Sequence, residues 1–193
     1  MRLVMVGSGY VGLVSGVCFA DFGHDVVCVD NDTTKIERLK AGEVPIFEPG
    51  LKAMLAENSK SGRLSFTTDL AEAARDADAI FIAVGTPTRR GDGHADLSYV
   101  YAAAGEIAKV ARDGAVVVTK STVPVGTGDE VERIICEARP GSSIRVVSNP
   151  EFLREGAAID DFRRPDRIVI GTEDDHARKV MTEINRPLYI TQG

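Results

Sequence analysis

Two glutamates four positions apart, Glu151 and Glu155, stand in the stretch "VSNPEFLREG", just after an apolar, β-branched run that stops at Asn149-Pro150. A carboxylate held beside a substrate can take the proton of an alcohol as it is oxidised, or activate a water for hydrolysis. Two solvated surface carboxylates fit the same spacing, and these residues by themselves leave both readings open. A second group lies near the start of the chain, where "MVGSGYVG" sets Gly7, Gly9 and Gly12 in G-x-G-x-x-G spacing. Between a strand and a helix, the first glycine makes the tight turn, the second lets the backbone approach a pyrophosphate, and the third lets helix and strand pack closely. The helix that follows, from Val11, presents the positive end of its dipole to the same point, so Tyr10 and Val11 join the glycines as candidate cofactor contacts. Eighteen residues after Gly12, "DVVCVD" ends in Asp30, which can accept hydrogen bonds from both hydroxyls of an adenosine ribose and would repel a 2′-phosphate. The combination is a dinucleotide cradle that favours NAD over NADP.

Asp30 also opens "DNDTTKIERL", which reads as a helix start. Asp32 or Thr33 can cap that helix while Asp30 points up from the end of its strand. Lys35 then falls in the first turn, where a cation opposes the helix dipole. It is either a solvated lysine or a contact to the cofactor.

Positioning these groups requires elements, and the chain supplies them in alternation. Residues 2–6, 26–30, 64–67, 79–84, 115–119, 144–148 and 167–170 are short, mostly β-branched runs of the kind that strands buried on both faces require. Residues 11–22, 33–40, 51–59, 70–75, 97–111, 128–138 and 177–185 carry helical spacing. Strict alternation implies parallel strands joined by right-handed crossovers, hence a doubly wound, mostly parallel Rossmann-like α/β sheet with helices on both faces. One dinucleotide-binding domain over residues 1–193 accounts for the whole pattern. The long polar excursion "GTPTRRGDGHAD", residues 85–96, follows a predicted strand and is a place to bind something or to move.

Composition excludes several functions. The chain has 193 residues, 44% of them hydrophobic, enough for a real core. A net charge of −6 with no block of lysine and arginine gives no footprint for nucleic acid or for an anionic membrane surface. The N-terminal apolar stretch is broken by glycines too early for a signal peptide or a membrane span, so a cytoplasmic protein is expected. Three cysteines, Cys18, Cys28 and Cys136, lack C-x-x-C spacing and fall in apolar or helical patterns. They are expected to be small buried hydrophobes, with neither a disulfide framework nor a metal site.

Longer motifs give the chain a family resemblance over its whole length. "VGSGYVGLVSGVCFADFGHDVVCVDND", "KIERLKAGEVPIFEPGL", "IFIAVGTPTRRGDGHADLSYV", "VVTKSTVPVGT" and "SNPEFLREGAAIDDFRRPDRIVIG" together resemble the N-terminal nucleotide-binding domain of UDP-glucose 6-dehydrogenases, within the UDP-glucose/GDP-mannose dehydrogenase superfamily. The resemblance implies oxidation of the hydroxymethyl group of UDP-glucose to the carboxylate of UDP-glucuronate. Two hydrides pass to NAD, through a cysteine-bound thiohemiacetal and thioester.

It also implies roles for particular residues. Glu151 becomes the catalytic acid/base, acting directly or through water, and the backbone of Phe152 and Leu153 helps to hold the sugar nucleotide. Glu155 lies near the nicotinamide end of NAD. Thr122, in "KSTVPVG", resembles the threonine that bonds a catalytic water; the alternative for it is a helix-capping hydroxyl before Pro124. Lys120 and Ser121 are read as strand-end polar residues. Thr86, in the "GTP" of residues 85–87, becomes a polar contact to the cofactor, with a plain turn as its alternative.

The nucleophilic cysteine of that family lies in a second domain, beyond a long central helix, in a glycine-rich context that none of Cys18, Cys28 or Cys136 shares. The chain is therefore expected to be a fragment, inactive alone and mostly monomeric, of an enzyme that pairs through the central helix. GDP-mannose dehydrogenase is the rival within the family. A regulatory NAD-sensing module is the rival outside it, disfavoured because a sensor has no use for "STVPVG" and "NPEFLREG" converging on a reacting carbon.

Overall fold

The computed structural model describes residues 1–89 and 93–190. At its centre six strands stand in the order β3-β2-β1-β4-β5-β6. They are β1 (Arg2–Val6), β2 (Asp25–Val29), β3 (Leu64–Thr67), β4 (Ala79–Ile82), β5 (Val116–Thr119) and β6 (Arg145–Ser148). Every neighbouring pair runs parallel, as the alternating pattern predicts. The chain winds outward from β1 to β3 and then returns to lay β4 on the other side of β1. That reversal opens a crevice above the C-terminal ends of β1 and β4.

The strands read as continuous apolar runs because both faces are covered. Leu3, Met5, Cys28 and Phe81 face one buried cluster, together with α1 (Tyr10–Asp21), α3 (Leu51–Lys60) and α8 (Asp175–Ile190). Val4, Val27, Ile80 and Val117 face the other, with α4 (Leu70–Ala74), α5 (Ser98–Val110) and α6 (Thr127–Ala138). Helix α1 lies very close to the sheet: a Cβ at Gly16 would come within 2.7 Å of Cys28 Sγ and 3.2 Å of Met5 Cγ. This contact aims the N-terminus of α1 at the crevice.

Four expectations need correction. Strand and helix do not alternate strictly, since α2 (Thr33–Lys40) and α3 both lie between β2 and β3, while α7 (Ala158–Arg163) and α8 follow β6. Helix α7 was not anticipated; six residues are too few to display a helical period. Residues 167–170 form no strand. Their segment meets the sheet only where Ser148 and Gly171 exchange antiparallel bonds of 3.0 and 2.7 Å. Extending that ladder would place Val169 opposite Pro150, which has no N–H to give, and the Asn149 side chain takes the Val169 carbonyl instead, at 2.8 Å. Finally, Cys18 and Cys28 are buried but Cys136 is exposed. It sits one residue past the inward stripe of α6, formed by Thr127, Val131 and Ile135.

Of the excursion at residues 85–96, Arg90, Gly91 and Asp92 lie outside the described residues. Its described ends form a short hairpin. Thr88 bridges Ala95, the Arg89 amide donates to the His94 carbonyl at 2.7 Å, and the Asp96 amide donates to the Pro87 carbonyl at 2.8 Å.

Candidate active site

Parallel strands bring their C-terminal ends to one edge, and the residues singled out above sit just beyond those ends. Gly7 and Gly9 follow β1, Asp30 follows β2, Thr86 follows β4, Thr122 follows β5 and Glu151 follows β6. The glycines differ in what they do. Gly7 has φ +102°, and a Cβ there would lie 2.6 Å from the Ala83 carbonyl oxygen. A Cβ at Gly12 would fall 1.8 Å from the Gly7 carbonyl oxygen, so the loop closes onto the first turn of α1 only because nothing stands there. A Cβ at Gly9 would meet nothing within 4 Å. Gly9 is the extended N-cap of α1, with no side-chain cap, so the N-terminal amides face open space over a residue without a side chain. Beside them Ser8 Oγ is buried and has no hydrogen-bond partner among the described residues. Uncapped amides, an open approach and an orphaned hydroxyl fit a dinucleotide pyrophosphate.

Asp30 stands at the second corner of the crevice. Its Oδ2 accepts the Ser8 amide at 2.8 Å and the Lys35 ammonium at 2.9 Å, while Oδ1 accepts the Asp32 amide at 3.1 Å. Burial works to raise this carboxyl, but the bonds from Lys35, Ser8 and Asp32 outweigh it and hold the group below its ordinary value. Asp32, rather than Thr33, caps α2, accepting the Lys35 amide at 3.0 Å. Lys35 is tolerated in the first turn because its ammonium folds back onto Asp30.

Glu151 is better held than a solvated carboxylate. Its side chain is 9% exposed and that of Lys120 7%, with Nζ 3.1 Å from Oε2. The contact is an ion pair outside hydrogen-bond alignment, leaving Oε2 without a hydrogen bond among the described residues. Its other oxygen accepts the Phe152 amide at 2.6 Å. Lys120 Nζ donates to Asn149 Oδ1 at 3.1 Å and lies 5.8 Å from the centre of the Phe162 ring. Expected to be a plain strand-end residue, Lys120 is instead a buried ammonium facing the carboxylate. Ser121 does match that expectation, its Oγ donating to the Val84 carbonyl at 2.7 Å. Beneath the pair opens a cleft of about 440 Å³, bounded by Leu153, Phe162 and Ile168. Phe152 is exposed and carries the Arg167 guanidinium 4.9 Å above its ring, while Leu153 is half-buried against the core. Glu155, four residues on, is exposed.

Thr86 and Thr122 meet beyond the ends of the neighbouring strands β4 and β5, with Thr86 Oγ1 donating to the Thr122 carbonyl at 3.3 Å. Thr122 itself is exposed. It does not cap α6, whose N-cap is Gly126. In the turn before that helix, it is Thr127 Oγ1 that bonds the Pro124 carbonyl, at 2.7 Å.

One residue escaped the sequence reading altogether. Glu48 is buried, and its carboxylate accepts the Tyr10 hydroxyl, the Gly156 amide at 2.8 Å and the Ala158 amide at 2.9 Å. The Gly156 amide also reaches the Tyr10 oxygen, at 3.2 Å. Burial alone would raise the Glu48 carboxyl, yet these donors hold it below its ordinary value. Burial and the neighbouring Glu48 lift the Tyr10 hydroxyl to about 12. The only sequence signal was an acidic residue inside the apolar stretch "VPIFEPGL". Among the described residues no three His, Cys, Asp or Glu side chains gather as a metal set, and no helix is long and apolar enough to cross a membrane.

Residues 1–189 match the family described as the UDP-glucose/GDP-mannose dehydrogenase family, NAD binding domain. The chain belongs to that family. It is 69% identical to the UDP-glucose 6-dehydrogenase of Rhizobium meliloti (strain 1021), over 100% of this chain and 45% of the relative. Among solved structures it is similar to a UDP-glucose dehydrogenase from Pyrobaculum islandicum (TM-score 0.91, 46% identity, 96% of this chain and 44% of that one). It is also similar to a GDP-mannose dehydrogenase from Pseudomonas aeruginosa (TM-score 0.92, 40% identity, 96% and 44%). The chain thus spans less than half the length of these relatives. The Rossmann-like fold and the NAD cofactor follow from membership.

Proposed function

We propose that this chain is the NAD-binding domain of a UDP-glucose 6-dehydrogenase, one that oxidises UDP-glucose to UDP-glucuronate, with Glu151 as its acid/base. The observation that carries the reading is the buried Glu151–Lys120 pair at the end of β6, beside the NAD crevice and over a cleft. Bound NAD would supply the hydride acceptor.

This chain's residues do the rest of its share. Gly9, Tyr10, Val11 and Gly12 present the amides of α1 to the pyrophosphate, and Asp30 with Lys35 receives the adenosine ribose. Thr86 and Thr122, already joined beyond β4 and β5, line the path toward the nicotinamide, with Glu155 near its end. Glu151 takes the alcohol proton as the first oxidation proceeds and later activates a water, which Thr122 helps to hold. Phe152 and Leu153 offer their backbone to the sugar nucleotide.

The thiolate for the second oxidation is not in this chain. Burial pushes the thiols of Cys18 and Cys28 up to about 12, and Cys136 lies on the outward side of α6, so none suits a nucleophile beside the nicotinamide. The second half of the enzyme would bring it, together with the remaining sugar-nucleotide contacts and the dimer surface. Alone, the chain is a monomer in the cytoplasm. The 69% identity to a UDP-glucose enzyme favours UDP-glucose over GDP-mannose, and the "STVPVG" and "NPEFLREG" segments favour an enzyme over a regulatory NAD module.

The test is to mix the chain with NAD and UDP-glucose, follow NADH absorbance, and repeat with the C-terminal half of a close relative added in trans. Activity only with the second half, lost on Glu151→Gln, is expected. NADH production by the chain alone, or undiminished activity of Glu151→Gln, would overturn the assignment.

A further inference from the structure

Glu48 joins three parts of the chain that are remote in sequence. It is 7% exposed, and its donors come from Tyr10 and from the turn entering α7. The Gly156 and Ala158 amides lie at 2.8 and 2.9 Å, and the Ile159 amide at 3.5 Å. A buried charge adds little stability that a well-packed apolar side chain would not. What Glu48 provides instead is direction, because a carboxylate accepting from both sides fixes where each donor stands.

The two sides are the two halves of the site. Tyr10 opens α1, one residue after the cradle's Gly9. Gly156 follows Glu155 directly and lies in the same loop as Glu151. Its φ of +86° is a left-handed conformation that a residue with a Cβ rarely adopts, so the turn presenting the amide to Glu48 depends on glycine. With its pKa near 12, the Tyr10 hydroxyl keeps its proton throughout the neutral range and remains the donor.

We propose that Glu48 and Tyr10 are positioning residues that tie the dinucleotide cradle to the acidic loop, so that filling the cradle orders the loop. A pyrophosphate held by the first amides of α1 immobilises the Tyr10 backbone. Tyr10 then holds Glu48, and Glu48 holds the amides that follow Glu155. The coupling is reciprocal: whatever NAD gains from the tie, the loop gains from NAD. Only the catalytic consequence, a correctly placed Glu151, rests on the proposed function; the coupling itself needs nothing beyond NAD at the cradle.

Amide hydrogen exchange on the 193-residue chain, read at Gly156 and Ala158 with and without saturating NAD, tests it. In the unaltered chain NAD is expected to slow exchange at both amides about 5- to 10-fold. In Tyr10→Phe, which keeps the ring, and in Glu48→Gln, which keeps the shape, the slowing is expected to fall below about twofold. NAD affinity in both variants should weaken by the lost factor. Each variant is compared with itself, so general loosening affects both arms alike and cancels. If Glu48→Gln does not fold, Tyr10→Phe decides. Equal slowing in Tyr10→Phe and the unaltered chain, or no slowing in the unaltered chain although NAD binds, would overturn the tie and leave the NAD site standing. Absence of NAD binding would overturn the cradle and the tie together.

Discussion

Lys35 Nζ lies 2.9 Å from Asp30 Oδ2, on the same carboxylate oxygen that accepts the Ser8 amide. Asp30 is therefore already neutralised and nearly saturated with donors. In the proposed site, ribose hydroxyls have to compete with Lys35 for that carboxylate. Removing the carboxylate in Asp30→Ala takes away those ribose bonds and frees an ammonium next to where a 2′-phosphate would sit. Affinity for NAD is expected to fall about 10-fold or more, as loss of a charge-assisted bond implies, while affinity for NADP rises. Calorimetric titration of both cofactors checks this, and an unchanged NAD to NADP ratio would show that Asp30 does not read the ribose.

The cradle glycines should separate binding from stability. At Gly9 a Cβ meets nothing within 4 Å of the protein and φ is an ordinary −76°. Gly9→Ala is expected to keep its melting temperature and to lose NAD affinity, because the methyl occupies the approach to the α1 amides. At Gly12 a Cβ would stand 1.8 Å from the Gly7 carbonyl oxygen, a backbone atom that cannot swing aside. Gly12→Ala is expected to lower stability by about 1 to 3 kcal/mol, as overpacking of a tight site does, and to lose NAD binding as well. A Gly9→Ala protein that bound NAD normally would place the pyrophosphate elsewhere.

These two residues also show how far the sequence could be read. The register of Gly7, Gly9, Gly12 and Asp30 follows from steric rules local to one βαβ unit, so a strand, a glycine-rich turn, a helix and a strand-end acid are legible together in the sequence. Lys120 and Glu48 were not accessible in this way. Lys120 is one residue past β5, and only the parallel pairing of β5 with β6 brings it to Glu151, 31 positions on. Glu48 lies in a stretch without period, and its donors are up to 111 residues away. The missing strand at residues 167–170 failed for a related reason: its apolar pattern was right, but Pro150 on the partner removed the bond that would have continued the ladder.

Acid should weaken the fold in two stages. His24 is buried against Phe19 and its Nε2 bonds the Ile184 carbonyl at 2.9 Å. Burial lowers its pKa below the ordinary 6.5, against the upward pull of that carbonyl. A depressed histidine pKa means that the unfolded chain takes up the proton first, so stability is full above the unfolded value and falls as pH drops below about 6.5. Asp30 and Glu48 are depressed carboxyls. Their contribution is present above the unfolded values near about 4 and is lost as pH falls through the folded ones. Urea midpoints measured from pH 8 to pH 3 are expected to decline first below about 6.5 and again below about 4.5. His24→Gln should flatten the first decline only, and Glu48→Gln the second only; a single decline unaffected by His24→Gln would assign the upper stage to another group.

The Lys120–Glu151 pair should behave as a unit. Both side chains are more than nine-tenths buried, Nζ stands 3.1 Å from Oε2, and Asn149 holds the ammonium from the other side at 3.1 Å. Asn149 is itself fixed, its side-chain amide bound to the Val169 carbonyl and its backbone amide to the Thr119 carbonyl at 3.0 Å. Lys120→Met keeps the length of the stem and removes the charge, leaving Glu151 buried without its cation. Breaking a buried pair on one side costs about 3 to 5 kcal/mol, whereas replacing both partners by neutral groups of similar shape is often close to neutral. Lys120→Met is therefore expected to be strongly destabilised, Glu151→Gln to be destabilised as well, and the double variant to lie nearer the unaltered chain than the two single effects predict when added. Urea denaturation of the four proteins gives the coupling directly. Additive effects would mean that Lys120 and Glu151 only happen to be neighbours, and that the placement of Glu151 over the cleft owes nothing to the ammonium beside it.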